Sequence, residues 1–407
     1  MTRATEAARA AAFFDGARLK LARQLEGLRK SDLAARVDMS PTAVTAWETG
    51  AKRPTAATVA QLAIGLSVDP SFFAARSEDV AAVSSPPHFR SLRATSQRAR
   101  DQAFAYGQLA VDIASSLDRH VEFPAVDVPS FPVAIDDDSD GPERAAQELR
   151  RSWGVGAGPV KHLVRALETH GVLVVFSPPA AASVDAYSFD SRLRPVVVLN
   201  PVKRDYYRQR FDVAHELGHL VMHGDTEPGS KAVEDQAHRF ASELLMPAEE
   251  IRDQLPTHMG GKAWLTLARL KEHWGVSIAA LLFRARRLGR LSEVSYRNAM
   301  TTLSARGWRR SEPGAVTTVE QPSLMGKAVE LLGQEGIDEE DLVDQCRVPR
   351  KLFRLVVSRT PSTNSAATPS STADTPHTKV AALLSLAVES GSAPADFEEG
   401  DDENEGD

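Results

Sequence analysis

Two histidines four residues apart, in the run RFDVAHELGHLVMH at residues 210–223, constrain this chain more than any other feature. Apolar residues recur in the run at helical spacing, which predicts a helix over about 204–223 with one buried face. Residues i and i+4 of a helix lie one turn apart on the same face, so His215 and His219 can bind one Zn²⁺ ion. Glu216, next to the first histidine, can reach a metal-bound water as a general base. Because H-E-x-x-H fixes only three positions, a histidine-bearing surface helix remains the alternative.

A catalytic zinc site needs a third protein ligand and an open position. The next predicted helix, 231–246, carries an apolar stripe, and Glu234 lies at the edge of that stripe. Glu234 can therefore point at the first helix, whereas Asp235 lies further round and is the weaker candidate. His223 and His238 are additional candidate ligands, although a lone histidine near an apolar face is more often a structural residue.

The segment Leu28–Pro54 predicts two short helices joined by a sharp turn. Ser31 and Ser40 are the predicted N-caps, and Pro41 follows at the first position of the second helix, where proline is tolerated. Such a pair can place its second helix in the major groove of DNA. Basic residues on either side could bind phosphates; they are Lys30, Lys52 and Arg53. The alternative is a small helical hairpin with a solvated charged rim.

The length and the pattern of elements predict a mainly helical chain of several domains. At about 100–200 residues per domain, 407 residues correspond to two to four domains. Further helices are predicted at 96–120 and 143–170. Three β-branched or aromatic runs, 172–176, 184–189 and 196–199, predict a small sheet. The predicted order is a helix-turn-helix domain at 13–76, a helical linker and connector at 77–142, an α+β zinc domain at 143–255, a helical C-terminal subdomain at 256–357 and a disordered tail at 358–407.

Composition excludes several classes of protein. The single cysteine, Cys346, cannot form an internal disulfide or a Cys-rich zinc site. No apolar run approaches the roughly 20 residues of a membrane span, and the N-terminus lacks an apolar signal core. These features predict a cytoplasmic protein with no membrane partner. The net charge of −7 comes from the tail, since residues 396–407 hold eight acidic and no basic residues; we interpret the tail as a solubilising end.

The segment 267–291 has the layout of a second helix-turn-helix, with a Gly-Val-Ser turn at 275–277. Its second helix is basic, through Arg284, Arg286, Arg287 and Arg290. DNA binding is one interpretation of this charge. We favour a packing subdomain that supports the zinc site and has a solvated basic face.

The N-terminal segment resembles the Xre/Cro phage-repressor family of helix-turn-helix domains. The matching pieces are DLAARVDMSPTAVTAWE and GAKRP. The resemblance implies that Ser40, Thr42 and Thr45 lie where that family reads bases, with Pro41 beside them. The family often has glutamine at the position of Lys30, so the base preference does not carry over.

The runs RFDVAHELGHLVMH and EDQAHRFASELLMP resemble the ImmA/IrrE family of zinc metallopeptidases. The later runs LKEHWGVSIAALLFRARRLG, GWRRSEPG and EQP are similar to proteins that join an Xre-type domain to an ImmA/IrrE domain. The resemblance implies a zincin-like α+β domain with His215, His219 and Glu234 as ligands and Glu216 as the base. The family usually has asparagine where this chain has His238. Some members cleave a repressor.

These observations predict a DNA-binding transcription regulator that carries a zinc-dependent metallopeptidase domain. Its partners would be operator DNA, which it would bind as a homodimer, and a regulatory protein that it processes, unless it processes itself. In one alternative the zinc domain is catalytically silent and serves as a sensor or an interaction platform. In another the protein is mainly a peptidase, and the helix-turn-helix targets it to a protein.

Overall fold

The computed structural model describes residues 3–75, 87–89, 96–136, 139–178, 186–200, 202, 205–224, 229–309, 311–313 and 318–360. The predicted tail lies almost wholly outside these residues. The described part is mainly helical with a small sheet, as the sequence predicts. Its residues form two units: one holds those up to 247 and those from 318 to 360, and the other holds 248–313. No described helix is both long enough and apolar enough to cross a membrane.

The chain begins with five helices and a 3-10 turn at Pro70–Phe73. The helices are α1 Arg3–Ala12, α2 Gly16–Leu25, α3 Lys30–Arg36, α4 Pro41–Glu48 and α5 Ala56–Gly65. Ser40 caps α4 as predicted, because its side chain accepts a hydrogen bond from the backbone N–H of Ala43 at 3.1 Å. The predicted cap at Ser31 is wrong. Helix α3 begins two residues earlier than this cap implies, at Lys30, and the Asp32 carboxylate accepts the Arg29 N–H at 2.8 Å.

The predicted long helix at 96–120 is α6, Gln97–Leu117, and most of its second half is buried. Helix α2 packs against it. At this contact Arg18 of α2 forms an ion pair with Asp112 of α6, and both side chains are buried. Arg18 also donates to the carbonyl oxygen of Phe72 at 3.1 Å, and its guanidinium lies 4.1 Å from the centre of the Phe72 ring. The buried ion pair of Arg18 and Asp112 therefore joins α2 to α6.

Four short strands form one sheet in the order β1-β3-β4-β2. They are β1 His88–Phe89, β2 Leu173–Phe176, β3 Tyr187–Phe189 and β4 Val196–Leu199. Strands β2 and β4 are parallel, and the other two pairs are antiparallel. The three predicted runs all contain strands, although residues 184 and 185 lie outside the described part. Strand β1 was not predicted, since two residues carry no alternation that a sequence pattern could show.

Four further helices lie in the first unit: α7 Gly141–Ser152, α8 Leu163–Thr169, α9 Tyr206–Met222 and α10 Lys231–Leu245. Helices α8 and α9 pack against the sheet, and α7 and α10 pack against α9. Helices α9 and α10 match the predictions at 204–223 and 231–246. The predicted helical segment 143–170 is not continuous. The chain leaves α7 through Gly154, whose φ of +62° favours glycine. Buried Arg150 then donates to the carbonyl oxygens of Gly156 and Gly158, which holds the intervening loop.

The second unit contains α11 Ala248–Ile251, α12 Gly261–Trp274, α13 Ile278–Arg287 and α14 Glu293–Ala305. Gly275 ends α12 with a φ of +66°. Buried Glu312 caps α13 by accepting the N–H groups of Ile278 and Ala279 at 2.8 and 3.2 Å. Lys271 pairs with the same carboxylate at 3.0 Å. Glu312 thus fixes the turn between the two helices.

The arginines of α13 make contacts within this second unit. Arg284 is buried. Arg286 lies 3.3 Å from the Glu293 carboxylate and 4.7 Å from the centre of the Tyr296 ring. Arg290, just after the helix, lies 3.8 Å from Asp253. Arg284, Arg286 and Arg290 are thus engaged in packing or ion pairs within this unit, and the packing interpretation stays a prediction.

Three last helices, α15 Leu324–Gln334, α16 Glu339–Cys346 and α17 Arg350–Val357, belong to the first unit and contact α6. Glu168 of α8 anchors them, since its carboxylate accepts the N–H groups of Ser323 and Leu324 at 2.8 and 2.9 Å. Burial raises the pKa of Glu168, and these hydrogen bonds oppose that shift.

Candidate metal centre and nucleic-acid interface

Helices α9 and α10 pack side by side and bring two histidines of α9 to Glu234 of α10. The Nε2 atoms of His215 and His219 are 3.1 Å apart. Glu234 Oε2 lies 3.3 Å from His215 Nε2, and Glu234 Oε1 lies 3.6 Å from His219 Nε2. A tetrahedral zinc ion with its usual bond lengths holds its ligand atoms about 3.3–3.6 Å apart. The three donors therefore fit one zinc ion.

His238 adds a fourth donor close to this cluster. It follows Glu234 by one turn of α10, and one ligand atom from each of His215, Glu234 and His238 lies within 4.8 Å of the others. This limit is larger than the separations among His215, His219 and Glu234, which do not exceed 3.6 Å. His238 Nδ1 lies 2.7 Å from the backbone oxygen of Glu234, so Nδ1 carries the proton that it donates and Nε2 carries the lone pair. Asp235, the weaker predicted ligand, is exposed.

A chain of hydrogen bonds orients the ring of His219. Its Nδ1 lies 3.1 Å from His223 Nδ1, and His223 Nε2 lies 2.9 Å from the side-chain oxygen of Gln236. Gln236 in turn donates to the backbone oxygen of Ala134 at 2.8 Å. With Nε2 of His219 at the cluster, its Nδ1–H donates to His223, and His223 Nε2–H donates to Gln236. Burial lowers the pKa of His223, although the bond to Gln236 opposes the shift; the neutral ring suits this arrangement.

Glu216 is fully buried and bonded to the sheet. The Ser188 hydroxyl of β3 lies 2.8 Å from Glu216 Oε2 and 3.2 Å from the backbone oxygen of the same residue. Strand β3 thus positions the carboxylate that the sequence identifies as the candidate base. No sequence pattern indicated Ser188, because the contact joins residues 28 positions apart.

We expect Ser188→Ala to lower the free energy of unfolding by about 1.5–3 kcal/mol, since it removes a hydrogen bond to a buried carboxylate. Hydrogen exchange of the β3 and α9 amides measures the change, since a chain with two units need not unfold in one step. Ser177→Ala is the matched control: Ser177 is also buried, but its hydroxyl makes no hydrogen bond within the described part of the chain. Equal effects of the two substitutions would show that the Ser188 hydroxyl does not hold Glu216.

The first turn of α9 is held by residues that sequence reasoning missed. Arg210 is buried and forms an ion pair with Glu320. The Gln209 side chain bonds both backbone groups of Glu320, at 2.7 and 2.8 Å. Glu320 also accepts the Val164 N–H at 2.7 Å. This segment, which contains the EQP run, therefore fixes the helix that carries the two histidines.

A cavity of about 420 Å³ borders the end of α9 on the side of His219. Its lining combines apolar side chains with the polar loop that follows β3, and includes Val126, Val128, Ser130, Arg192, Leu193 and Leu220. The cavity is large enough to receive side chains of a peptide.

The predicted base-reading residues lie on and just before α4. Ser40, Pro41 and Thr42 are exposed, and Thr45 is half-buried. Thr45 Oγ1 donates to the Pro41 carbonyl at 3.0 Å, so its hydroxyl hydrogen is already used within the helix. Among Ser40, Thr42 and Thr45, only Thr42 is exposed and has a side chain that does not cap the helix. Its hydroxyl is therefore the most accessible candidate for reading a base.

The three predicted phosphate contacts differ in their surroundings. Lys52 is exposed. Arg53 is exposed and donates to the Ala12 carbonyl at 3.2 Å. Lys30 Nζ lies 3.7 Å from the Glu48 carboxylate, which also pairs with Arg23 at 2.6 Å. Lys52 therefore carries the most accessible of these charges.

Comparison with known families agrees with both parts of the sequence resemblance. Residues 19–73 match the family model described as helix-turn-helix. Residues 167–286 match the Peptidase M78 model, described as an IrrE N-terminal-like domain. The predicted fusion of the two domain types is confirmed. No curated protein matches the chain.

Proposed function

We propose that this chain, which joins a helix-turn-helix domain to an IrrE-like domain of the M78 peptidases, is a transcription regulator with a zinc-dependent endopeptidase activity. One observation supports the peptidase assignment: the Nε2 atoms of His215 and His219 are 3.1 Å apart, and each lies within 3.6 Å of one carboxylate oxygen of Glu234. The proposed substrate is a regulatory protein or the chain itself.

The proposed form on DNA is a homodimer. One helix-turn-helix domain buries little surface on DNA, and a dimer that binds paired half-sites about 34 Å apart buries more.

In this proposal His215, His219 and Glu234 hold the ion. A bound zinc ion would polarise the peptide carbonyl and lower the pKa of a water to about 7. The Glu216 carboxylate accepts the proton of the attacking water and returns it to the leaving amine. Ser188 keeps this carboxylate in place, and the His223–Gln236 bond keeps the His219 Nε2 lone pair directed at the ligand cluster.

One purified sample tests both halves of the proposal. We expect about one zinc per chain by elemental analysis, and we expect a chelator to remove it. Binding to the chain's own upstream DNA, measured by fluorescence anisotropy, is expected to weaken steeply with salt as counterions are released. A chain that binds DNA but holds no stoichiometric metal would overturn the peptidase half. A chain that holds zinc but binds duplex DNA without sequence preference would overturn the regulator half.

Substitutions on α4 test how DNA is read. Thr42→Ala or Thr45→Ala is expected to cost about 1–3 kcal/mol at one base position and to relax specificity there. Lys52→Ala is expected to weaken binding to all sequences alike and to reduce the salt slope by about one. Lys351→Ala, an exposed lysine of α17, is the control. If the three substitutions leave DNA affinity at the control value, neither α4 nor Lys52 after it contacts the operator.

A second candidate function keeps the regulator but makes the zinc domain catalytically silent. One observation favours it: His238 lies close enough to the ligand cluster to compete for the position that catalysis needs open. In that case the domain would act as a sensor or an interaction platform.

A further inference from the structure

Helices α9 and α10 each present a pair of donors spaced four residues apart. The pair of α9 is His215 and His219, and the pair of α10 is Glu234 and His238. Residues at this spacing share one face of a helix. Because the two helices pack together, the two pairs meet at one place. An ion bound there has four protein donors within reach, whereas the proposed catalytic set uses three.

The position of His238 is set by contacts on three sides. Its Nδ1 is bonded to the Glu234 carbonyl at 2.7 Å, which leaves Nε2 as the atom available to a metal ion. Its ring centre lies 4.6 Å from that of His215 at an angle of 74°. The Phe211 ring packs 5.8 Å away on the same side of α9. These contacts place the imidazole beside the cluster.

The distances allow coordination with a small adjustment. The ligand atoms of His215, Glu234 and His238 lie within 4.8 Å of one another. Tetrahedral zinc requires separations of about 3.3–3.6 Å, so a closing movement of about 1 Å brings these three ligand atoms to coordination distance. His238 is half-buried, which leaves its side chain room for that movement.

We propose that His238 is a fourth protein ligand of the zinc ion, so that protein donors close the coordination shell in the resting state. Zinc sites with four protein ligands are structural, and sites with three are catalytic. His238 therefore has to leave the ion before a substrate carbonyl can approach it. The inference rests on the proposed zinc site and specifies its resting state.

X-ray absorption and metal competition on the full chain test this ligand. We expect three imidazoles per zinc in the wild type and two in His238→Asn, because an amide side chain is not among the usual zinc ligands. We also expect the zinc dissociation constant of His238→Asn to rise at least about 10-fold, measured against a chromophoric chelator. His258→Asn, on an exposed histidine of the second unit, is the control and is expected to leave both readouts unchanged.

A second variant covers the case in which His238→Asn folds poorly. His238→Cys replaces the imidazole by a thiolate, and cobalt-loaded protein should then show a thiolate-to-cobalt charge-transfer band that the wild type lacks. Two imidazoles in the wild type, or no such band in a cobalt-loaded His238→Cys chain, would overturn the inference and leave the three-ligand site intact. A wild type that binds no metal would overturn the proposed function itself.

Discussion

Glu216→Gln is expected to slow peptide cleavage by about 10²–10⁴-fold while zinc content and DNA affinity stay at wild-type values. Glutamine has the size of glutamate, and its side-chain oxygen can still accept the Ser188 hydroxyl. The neutral amide cannot take a proton from water, so the substitution removes the base and leaves the surrounding packing in place.

The measurement compares cells carrying the wild type with cells carrying Glu216→Gln under the activating stress. Labelling of new protein N-termini identifies the substrate, and cleavage of that protein by the purified chain gives the rate. Asp235→Asn is the matched control, since it makes the same change of charge at an exposed position of α10. Identical regulation by wild type and Glu216→Gln would reject the peptidase hypothesis in favour of a silent zinc domain. Loss of zinc in Glu216→Gln would show that the ligand set is wrong.

Arg18→Met is expected to destabilise the contact between α2 and α6 by about 3–5 kcal/mol. The substitution leaves the buried Asp112 carboxylate without its arginine, and it also removes the bond to the Phe72 carbonyl. Hydrogen exchange of the α2 amides measures the effect, since a chain with two units need not unfold in one step.

A double substitution separates two costs of Arg18→Met: the loss of the ion pair, and the burial of the Asp112 carboxylate without a partner. Arg18→Met combined with Asp112→Leu is expected to recover much of the lost stability, because replacing a buried ion pair by apolar residues is often close to neutral. Arg36→Met is the control at an exposed pair, 3.7 Å from Glu26, where about 0–1 kcal/mol is expected. An effect of Arg18→Met no larger than that of the control would show that the buried pair does not hold the N-terminal helices to α6.

The sequence predicted well the helices and the cap whose pattern lies in residues close together along the chain. Helices α9 and α10 have an apolar stripe and clear ends, so their bounds agree with the predictions within two residues. The cap of α4 followed from Ser40 and Pro41, which are adjacent in the sequence. The cap of α3 was misplaced because the helix already begins at Lys30, where the Asp32 carboxylate accepts the Arg29 N–H, so that Ser31 lies inside the first turn.

The supports of the candidate site could not be predicted, because they join distant residues. Ser188 and Glu216 lie 28 positions apart, and Arg210 and Glu320 lie 110 apart. Gln236 lies on a predicted helix, but its role depends on His223 and on a loop carbonyl. A single sequence shows which side chains share one helix face. It does not show which partner the fold brings to that face.

Strand β1 has a consequence for how an extended peptide can reach the sheet. It lies between the helix-turn-helix segment and α6, and it pairs with β3 through His88 opposite Ser188. A sheet edge with open backbone groups recruits further strands, and here the outer edge of β3 is already taken by the chain itself. A peptide that pairs with β3 at this edge has to displace the two-residue strand, whose few hydrogen bonds contribute only about 0.5–1.5 kcal/mol each. Pairing of a peptide with β3 and retention of β1 at that edge are therefore mutually exclusive.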